Sequence, residues 1–270
     1  MSGPEVSCER VSWSAGRTSV LRGVSVTFAA GRMTGVIGPN GSGKTSLLRL
    51  LGGPKAPDEG RVSIGGADVR RMRSRHRARL VALVEQEAHT GLDLTVRQVV
   101  ELGRIPHHGR LASLAGSDRA DECVIEQVLA ETETGGLVDR HWAGLSEGER
   151  QRVQLARAFA QEPAVLLLDE PSNHLDLAHQ LDLLGRVLAS GLTTVAVLHD
   201  LELAAAFCDD LVVLNRGEVV RRGPVAEVLT ADLVAEVYGV DVTVEPHPLS
   251  GRPHVRWNGL LAGSLSSAPS

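Results

Sequence analysis

A glycine-rich stretch between a short apolar run and a helix-like segment constrains this chain more than any other feature. Residues 38–46 read Gly-Pro-Asn-Gly-Ser-Gly-Lys-Thr-Ser, which satisfies the pattern G-x-x-x-x-G-K-[ST]. The run Met33–Ile37 before it predicts a buried strand, and Ser46–Leu51 after it predicts the first turns of a helix. A strand, a glycine loop and a helix N-terminus in this order form a cradle for phosphate. The stretch therefore predicts an α/β fold built around an anion site.

Each residue type in this loop has a physical reason to be there. Glycines let the backbone wrap closely round an anion with its N–H groups pointing inward. Lys44 can reach the β- and γ-phosphates of a nucleotide, and the Thr45 hydroxyl can hold Mg²⁺. A glycine-rich turn that matches the pattern by chance is the alternative. The predicted nucleotide-binding residues of the loop are Gly38, Pro39, Asn40, Gly41, Ser42, Gly43, Lys44, Thr45 and Ser46.

Composition and charge narrow the class of protein further. The 270 residues are 43% apolar and 23% charged, which is typical of a globular protein with a sizeable core. A net charge of −5 argues against a dedicated nucleic-acid binder. Cys8, Cys123 and Cys208 form no C-x-x-C pair, so we expect free thiols in a reducing cytoplasm. We find no signal-peptide pattern and no apolar run of about 18 residues, so any membrane role should come through a partner.

Two acidic residues follow a second apolar run, Val165–Leu168. A run of this kind predicts a central parallel strand, which places Asp169 and Glu170 at its carboxyl end, where open α/β sheets bind ligands. One carboxylate there can hold Mg²⁺, and the other can polarise an attacking water. Thr193–Leu198 predicts another buried strand, and His199 follows it. This histidine could contact a γ-phosphate or could simply end a strand.

Between these strands, from about residue 87 to residue 160, helical periodicity replaces the strand-like runs. Thr95 can cap one helix, and Ser146 with Glu149 forms the S-x-x-E capping box of another. A purely structural cap and a second phosphate-facing helix end both fit the pattern at Ser146. We therefore predict a helical insertion between two halves of an α/β core.

Three other features leave alternatives open, and a fourth prediction concerns the last residues of the sequence. Trp13 could stack on adenine or pack in a core. The run Arg70–Arg79 predicts a solvated helix face, with a nucleic-acid or anionic-lipid patch as the alternative. Adjacent histidines in Pro106–Gly109 suggest a metal, but sequence neighbours rarely converge on one ion. Residues from about Asn258 onward are small and polar, and we expect them to be frayed.

Taken in order, these motifs resemble the ATP-binding subunit of ABC transporters over about residues 4–257. Gly38–Thr45 resembles the family's Walker A motif, Leu145–Glu149 its signature motif and Val165–Asp169 its Walker B motif. The resemblance implies a P-loop NTPase (RecA-like) α/β core with an N-terminal antiparallel β subdomain and an inserted α-helical subdomain. The implied divisions are 1–86 and 161–240 for the core, 87–160 for the helical subdomain and 241–270 for a C-terminal tail.

The resemblance also implies a role for single residues. Within 172–176, the family's D-loop, Asp176 would lie near the nucleotide. The catalytic residues would be Glu170, His199 as the switch histidine and Gln86 of the Q-loop. Beside the phosphate loop, the residues that contact ATP would be Trp13 of the A-loop, Ser146, Gly148 and Asp176. The Mg²⁺ ligands would be Thr45, Gln86 and Asp169.

One departure from the family pattern concerns the signature motif. The family's commonest form is L-S-G-G-Q, and here Glu147 and Glu149 replace Gly and Gln, while Ser146 and Gly148 are kept. An acid at 147 would place negative charge near a γ-phosphate. We therefore hypothesise that Glu147 lowers the rate of turnover.

Within the family, the chain most resembles importer subunits that serve iron–siderophore, haem and cobalamin permeases. The segments that carry this resemblance are Thr95–His107, Pro171–Asp176 and Val244–Pro253. The resemblance implies an ATP- and Mg²⁺-dependent homodimer on the cytoplasmic face of the membrane. It would dock on permease subunits, meet a substrate-binding protein indirectly and bind no nucleic acid. An iron–siderophore complex is the expected cargo, haem or cobalamin the alternative, and an exporter or a soluble translation or repair protein the remoter one.

Overall fold

The computed structural model describes residues 3–85, 93–108, 119–173 and 175–261. The strands are β1 (Val6–Ala15), β2 (Thr18–Phe28), β3 (Met33–Ile37), β4 (Glu59–Ile64), β5 (Ala67–Asp68), β6 (Val81–Val84), β7 (Val165–Asp169), β8 (Thr193–Val197), β9 (Asp210–Asn215), β10 (Glu218–Pro224), β11 (Val240–Pro246) and β12 (Pro253–Leu260). The α-helices are α1 (Lys44–Gly52), α2 (Ser74–Leu80), α3 (Val96–Glu101), α4 (Arg119–Glu131), α5 (Glu147–Ala160), α6 (Leu177–Ala189), α7 (Leu201–Phe207), α8 (Val225–Val228) and α9 (Ala231–Tyr238).

The central sheet has the strand order β10-β9-β3-β8-β7-β6. All neighbouring pairs in it are parallel except β9 and β10, which form a hairpin. Every residue of β3, β7 and β8 is buried, because helices cover both faces and leave these strands no polar side. The carboxyl ends of β3, β7 and β8 therefore meet at one edge of the sheet. The strands that precede Glu170 and His199 are thus parallel neighbours, which is the condition for these two residues to share an edge.

A second sheet, β2-β1-β4-β5, is antiparallel, which confirms the predicted N-terminal β subdomain. Helix α1 lies between the two sheets, and its leucines share one buried cluster with side chains from both. Leu47 and Leu48 of α1 pack there with Val11 of β1 and Leu167 of β7. Burial on both sides fixes α1, so the helix N-terminus is held at the edge where the parallel strands end.

The segment between β6 and β7 has a buried cluster of its own, made by α3, α4 and α5. Helix α3 begins at the predicted cap, where Thr95 and Gln98 form a reciprocal capping box. A 3₁₀ helix, Leu102–His107, continues from α3. Its buried Arg104 donates to Asp121 of α4 and to the carbonyl oxygen of Ala160 of α5, both at 2.7 Å. The predicted helical insertion is confirmed, and across the described ranges each helix is too short or too polar to cross a bilayer.

The chain closes with an antiparallel hairpin of β11 and β12. The expectation of a frayed chain from Asn258 onward is wrong for residues 258–260, which belong to β12. Asn258 bonds across the hairpin to Thr243 at 3.1 Å, so a polar residue stabilises the strand pair. Arg252 anchors the hairpin by donating to the carbonyl oxygens of Ala205, at 2.9 Å, and Cys208.

Candidate active site

Lys44 is the first residue of α1, and its side chain closes the glycine loop that precedes it. The ammonium Nζ donates hydrogen bonds of 2.8 Å to the carbonyl oxygen of Gly38 and 3.1 Å to that of Pro39. Burial lowers the pKa of Lys44, and the nearby carboxylates of Glu170 and Asp169 oppose this effect. The loop is therefore wrapped round a buried cation that can attract phosphate oxygens.

The backbone of the loop explains its glycines. Gly38 has φ +146°, and a Cβ there would lie 2.0 Å from the carbonyl oxygen of Leu214. Gly43, directly before α1, has φ +101°, in the left-handed region that favours glycine. Ser42 is 2% exposed, and its hydroxyl has no hydrogen-bond partner in the described part of the chain. A buried donor left without an acceptor fits a loop that receives an oxygen-rich ligand.

Thr45 and Asp169 meet at the edge of the sheet. The Thr45 hydroxyl donates to Asp169 at 3.0 Å, and Asp169 is only 4% exposed. Burial raises the pKa of Asp169, the Thr45 hydrogen bond lowers it, and the charge of Glu170 raises it again. A buried carboxylate beside a hydroxyl offers the hard oxygen donors that Mg²⁺ prefers, so the residues fit this ion. Mg²⁺ held there would neutralise charge on the phosphates.

Glu170 follows β7 and has both of its carboxylate oxygens engaged. Oε1 contacts Nε2 of His199, and Oε2 accepts a hydrogen bond from the side-chain amide of Asn173. The backbone of Glu170 has φ +52°, a conformation that costs free energy in a residue other than glycine. The contact with His199 arises because β7 and β8 are parallel neighbours. Asn173 was not among the predicted site residues, and its signal in the sequence was its place in the segment 172–176 that follows the acids.

The first turn of α5 is capped within the chain. Ser146 donates to Oε2 of Glu149 from its backbone N–H at 2.7 Å and from its hydroxyl at 2.9 Å. Arg140 bonds the other oxygen, Oε1, at 2.7 Å. The Ser146 N–H is the main cause that lowers the pKa of Glu149. In the described ranges no hydrogen bond joins this turn to the phosphate loop, so the structure does not bring Ser146 or Gly148 to Lys44.

Asp176 caps α6 and does not bond the phosphate loop in the described residues either. It accepts from the backbone N–H of His179 at 2.9 Å and contacts the His179 ring nitrogen Nδ1 at 2.7 Å. The backbone hydrogen bond is the main cause that lowers the pKa of Asp176. A Cβ on Gly148 would lie 3.5 Å from the His179 ring. The start of α6 therefore places Asp176 beside the first turn of α5.

For two of the predicted site residues, Trp13 and Gln86, the described part of the chain shows no contact with the rest of the site. The Trp13 ring is half-buried against the cluster that holds β1 and α1, and the Lys55 ammonium lies 4.2 Å from its centroid. These contacts favour the packing alternative, and an adenine contact by Trp13 stays a prediction. Gln86 lies outside the described residues, so its role also stays a prediction.

The order and spacing of these features match a known family. A family model described as ABC transporter matches residues 21–173, more than half of the chain. The chain belongs to the ABC transporter family. The P-loop NTPase fold with an added β subdomain and helical subdomain is thus the fold of an ABC ATP-binding cassette.

Several ABC transporter proteins are close in sequence. The cobalamin import ATP-binding protein of Halobacterium salinarum is 42% identical over 238 residues, which are 87% of this chain and 58% of that protein. The hemin import ATP-binding protein of Pseudomonas putida is 38% identical over 246 residues, 88% of this chain and 94% of the relative. The ferric enterobactin transport ATP-binding protein of Escherichia coli K12 is 34% identical over 264 residues, 96% of each. The chain thus spans less than two thirds of the length of the Halobacterium salinarum relative.

Among solved structures, a metal-chelate type ABC transporter in an inward-facing conformation aligns with a TM-score of 0.81. The alignment covers 96% of this chain and 98% of the other, at 23% identity. At this identity the likeness supports the ABC cassette fold and nothing finer.

Proposed function

We propose that this chain is the ATP-hydrolysing subunit of an ABC importer that drives uptake of an iron–siderophore complex through a separate permease. The observation that carries the proposal is the meeting of Lys44, Thr45, Asp169, Glu170 and His199 at one sheet edge. Subunits of this family hydrolyse ATP. The names of the relatives, which import cobalamin, hemin and ferric enterobactin, support a cargo that is a metal chelate.

The chemistry follows from the positions of the side chains. Lys44 and the backbone N–H groups of the loop would bind the β- and γ-phosphates, and Thr45 and Asp169, with Gln86, would hold Mg²⁺. Glu170 would take a proton from the attacking water while the oxygen of that water bonds to the γ-phosphorus. The bond from that phosphorus to the β–γ bridging oxygen would break, which gives ADP and phosphate.

The cassette would act as a head-to-tail pair. Ser146, Gly148 and Asp176 do not bond the phosphate loop of their own chain in the described ranges, which supports a second copy as the recipient. The Ser146 hydroxyl would then exchange Glu149 for a phosphate oxygen. The exposed Glu147 would lie near the same phosphate, so Glu147→Gly should raise the ATPase rate. An unchanged rate in that variant would remove Glu147 from the mechanism.

The remaining partners follow from this arrangement. The helical part made by α3, α4 and α5 would dock on cytoplasmic helices of the permease, which places the chain peripherally on the cytoplasmic face of the membrane. A substrate-binding protein would act on the other side and never touch this chain. No nucleic acid enters this mechanism.

The catalytic half of the proposal is tested by Glu170→Gln in the purified protein. We expect ATP binding to persist, turnover to fall by about 100-fold or more, and a stable dimer to accumulate with ATP. Glu236→Gln, at an exposed position of α9, is the matched control and should keep wild-type turnover. Wild-type turnover in Glu170→Gln would contradict the role of this residue.

The cargo is tested in cells that lack the chain. We expect uptake of labelled ferric siderophore to stop, and to return with the wild-type chain but not with Glu170→Gln. Loss of haem or cobalamin uptake alone would instead assign the alternative cargo that two of the relatives carry. Retention of a compound that cells normally expel would identify an exporter.

A further inference from the structure

The arginines between positions 70 and 79 form a strongly basic surface that the nucleotide site does not use. They are Arg70, Arg71, Arg73, Arg75, Arg77 and Arg79. All are exposed except Arg77, which is half-buried, and His76 between them is exposed as well. The chain as a whole has a net charge of −5. Six of the 28 lysines and arginines of the chain thus fall within ten positions, and we call the surface that they form the arginine face.

The arginine face lacks the acidic partners that a solvated helix surface usually has. In the described part of the chain, its only ion pair joins Arg71 to Asp68, at 4.0 Å. Exposed arginines elsewhere are paired more closely, as in the bonds of Arg61 to Glu9 and of Arg32 to Asp210, both at 2.9 Å. Helix α2 carries no acid that could offset repulsion between its cations. The face thus keeps its positive charge available to an external anion.

Two of these arginines are held in fixed positions. Arg75 and Arg79, one turn apart on α2, each donate from Nε to the carbonyl oxygen of Pro106 and from Nη2 to that of His107. The four distances are 2.8, 2.9, 2.9 and 3.2 Å. Because both guanidinium groups bind the same pair of oxygens, they lie side by side. Their ordering is therefore complete before any anion arrives.

The fixed pair borders a recess of about 290 Å³ that is lined by Arg73, Arg75, His76 and Arg79. Among the residues that the structure describes, this lining includes no carboxylate and no apolar side chain. Within the described ranges, no hydrogen bond uses the Nη1 atoms of Arg75 and Arg79. Guanidinium groups bind phosphate oxygens with strong charge-assisted hydrogen bonds. The donors at the recess are therefore of the kind that phosphate oxygens accept from.

We propose that the arginine face binds the phosphate headgroups of anionic lipids at the membrane surface. A single dissolved phosphate would need only the recess, whereas Arg70 and Arg71 extend the positive charge beyond it. A cluster of four to eight basic residues is the pattern that attracts an anionic bilayer, since each adds to the attraction. The proposal rests on the proposed function, because only a chain that docks on a membrane permease comes close to the lipid headgroups.

The test measures co-sedimentation of the whole protein with lipid vesicles in the absence of ATP. We expect binding to phosphatidylcholine vesicles that contain about one quarter phosphatidylglycerol, and no binding to phosphatidylcholine alone. The binding should disappear at about 0.5 M salt, where charges are screened within a few ångströms. Equal binding to both vesicle types would overturn the proposal.

Two variants separate the arginine face from net charge. The triple variant Arg70→Gln, Arg71→Gln, Arg73→Gln leaves the bonds of Arg75 and Arg79 in place and should weaken vesicle binding by about tenfold or more. The control variant changes three exposed arginines elsewhere, Arg10, Arg17 and Arg221, to Gln and should retain binding within about threefold. Equal loss in both variants would overturn the proposal.

Inorganic phosphate separates the two sources of the anion. If about 10 mM phosphate displaces the protein from anionic vesicles at constant ionic strength, the recess serves a dissolved anion and the lipid proposal fails. Persistent vesicle binding supports it. The triple variant should keep wild-type ATPase activity in solution. Failure of the lipid proposal is therefore read from vesicles, and failure of the proposed function from Glu170→Gln.

Discussion

The hydroxyl of Thr45 donates a hydrogen bond of 3.0 Å to Asp169, a residue 124 positions away in the chain. This bond joins the first turn of α1 to the last residue of β7, so it links the loop that would bind phosphate to the acid that would bind Mg²⁺. The contact forms because α1 is buried between two sheets and cannot shift. The site is therefore positioned by the core rather than by its own loops.

The first prediction concerns this hydroxyl. Thr45→Val keeps the shape of the side chain and removes its oxygen, so we expect weaker Mg²⁺ binding and turnover lower by about 10- to 100-fold. Thr45→Ser keeps the oxygen and should stay within about threefold of wild type. ATPase rates titrated with Mg²⁺ provide the measurement. Equal rates in the two variants would show that the hydroxyl plays no part.

The second prediction concerns Asn173, which holds one carboxylate oxygen of Glu170. Asn173→Ala removes this hydrogen bond and lets the carboxylate rotate, so kcat should fall by about 3- to 10-fold while ATP affinity is retained. The control is Asn258→Ala, which removes a cross-strand bond in the C-terminal hairpin and should leave kcat unchanged. A loss of ATP affinity without a loss of kcat would refute this positioning role.

The third prediction follows from the lowered pKa of Glu149. A carboxyl whose pKa is lower in the folded state stabilises the fold above its ordinary pKa, and loses that contribution as pH falls to the lowered value. Glu149→Gln should therefore reduce the free energy of unfolding by about 0.5 to 1 kcal/mol at neutral pH and by less towards acid pH. Urea titrations over a pH series measure the difference, with Glu236→Gln as a control. A difference that grows towards acid pH would contradict the assignment.

The fourth prediction compares two glycines. A Cβ on Gly103 would lie 2.3 Å from the carbonyl oxygen of Arg157 and 3.0 Å from the Cβ of Ala160. Gly103→Ala should thus force the 3₁₀ helix away from α5 and cost about 1 to 3 kcal/mol of stability. Gly185 lies inside α6 with nothing within 4 Å of its ideal Cβ, so Gly185→Ala should add about 0.5 to 1 kcal/mol. Thermal unfolding of both variants tests the pair, and shifts in the same direction would contradict it.

Local patterns in the sequence were sufficient for a large part of this fold. The cap at Thr95 and the capping box at Ser146 form as expected, because a cap involves residues only three positions apart. The apolar runs before Lys44, Glu170 and His199 are buried strands, since a strand covered on both faces has no polar alternation to obscure it. The site residues that end these strands could therefore be named from sequence.

Contacts between distant segments could not be named in this way. The bonds of Arg75 and Arg79 to the carbonyl oxygens of Pro106 and His107 span about 30 positions and follow no period. Arg252 joins the C-terminal hairpin to α7 through the carbonyl oxygen of Ala205, which lies 47 positions away. The composition of residues 258–260 likewise gives no sign that they belong to a strand. Such contacts are decided by the tertiary arrangement, which a local pattern does not encode.

The bonds of Lys44 to the carbonyl oxygens of Gly38 and Pro39 have a consequence for ligand choice. They use two of the three N–H donors of the ammonium group, so a ligand can take the third donor or compete with the two neutral acceptors. Hydrogen bonds to ionised acceptors are roughly twice as strong as those to neutral ones, so a polyphosphate succeeds. A nucleoside carries no ionised acceptor, so it does not replace these hydrogen bonds. The loop thus selects its ligands by their negative charge. It favours a nucleotide that carries phosphates over an uncharged nucleoside, whichever base the ligand has.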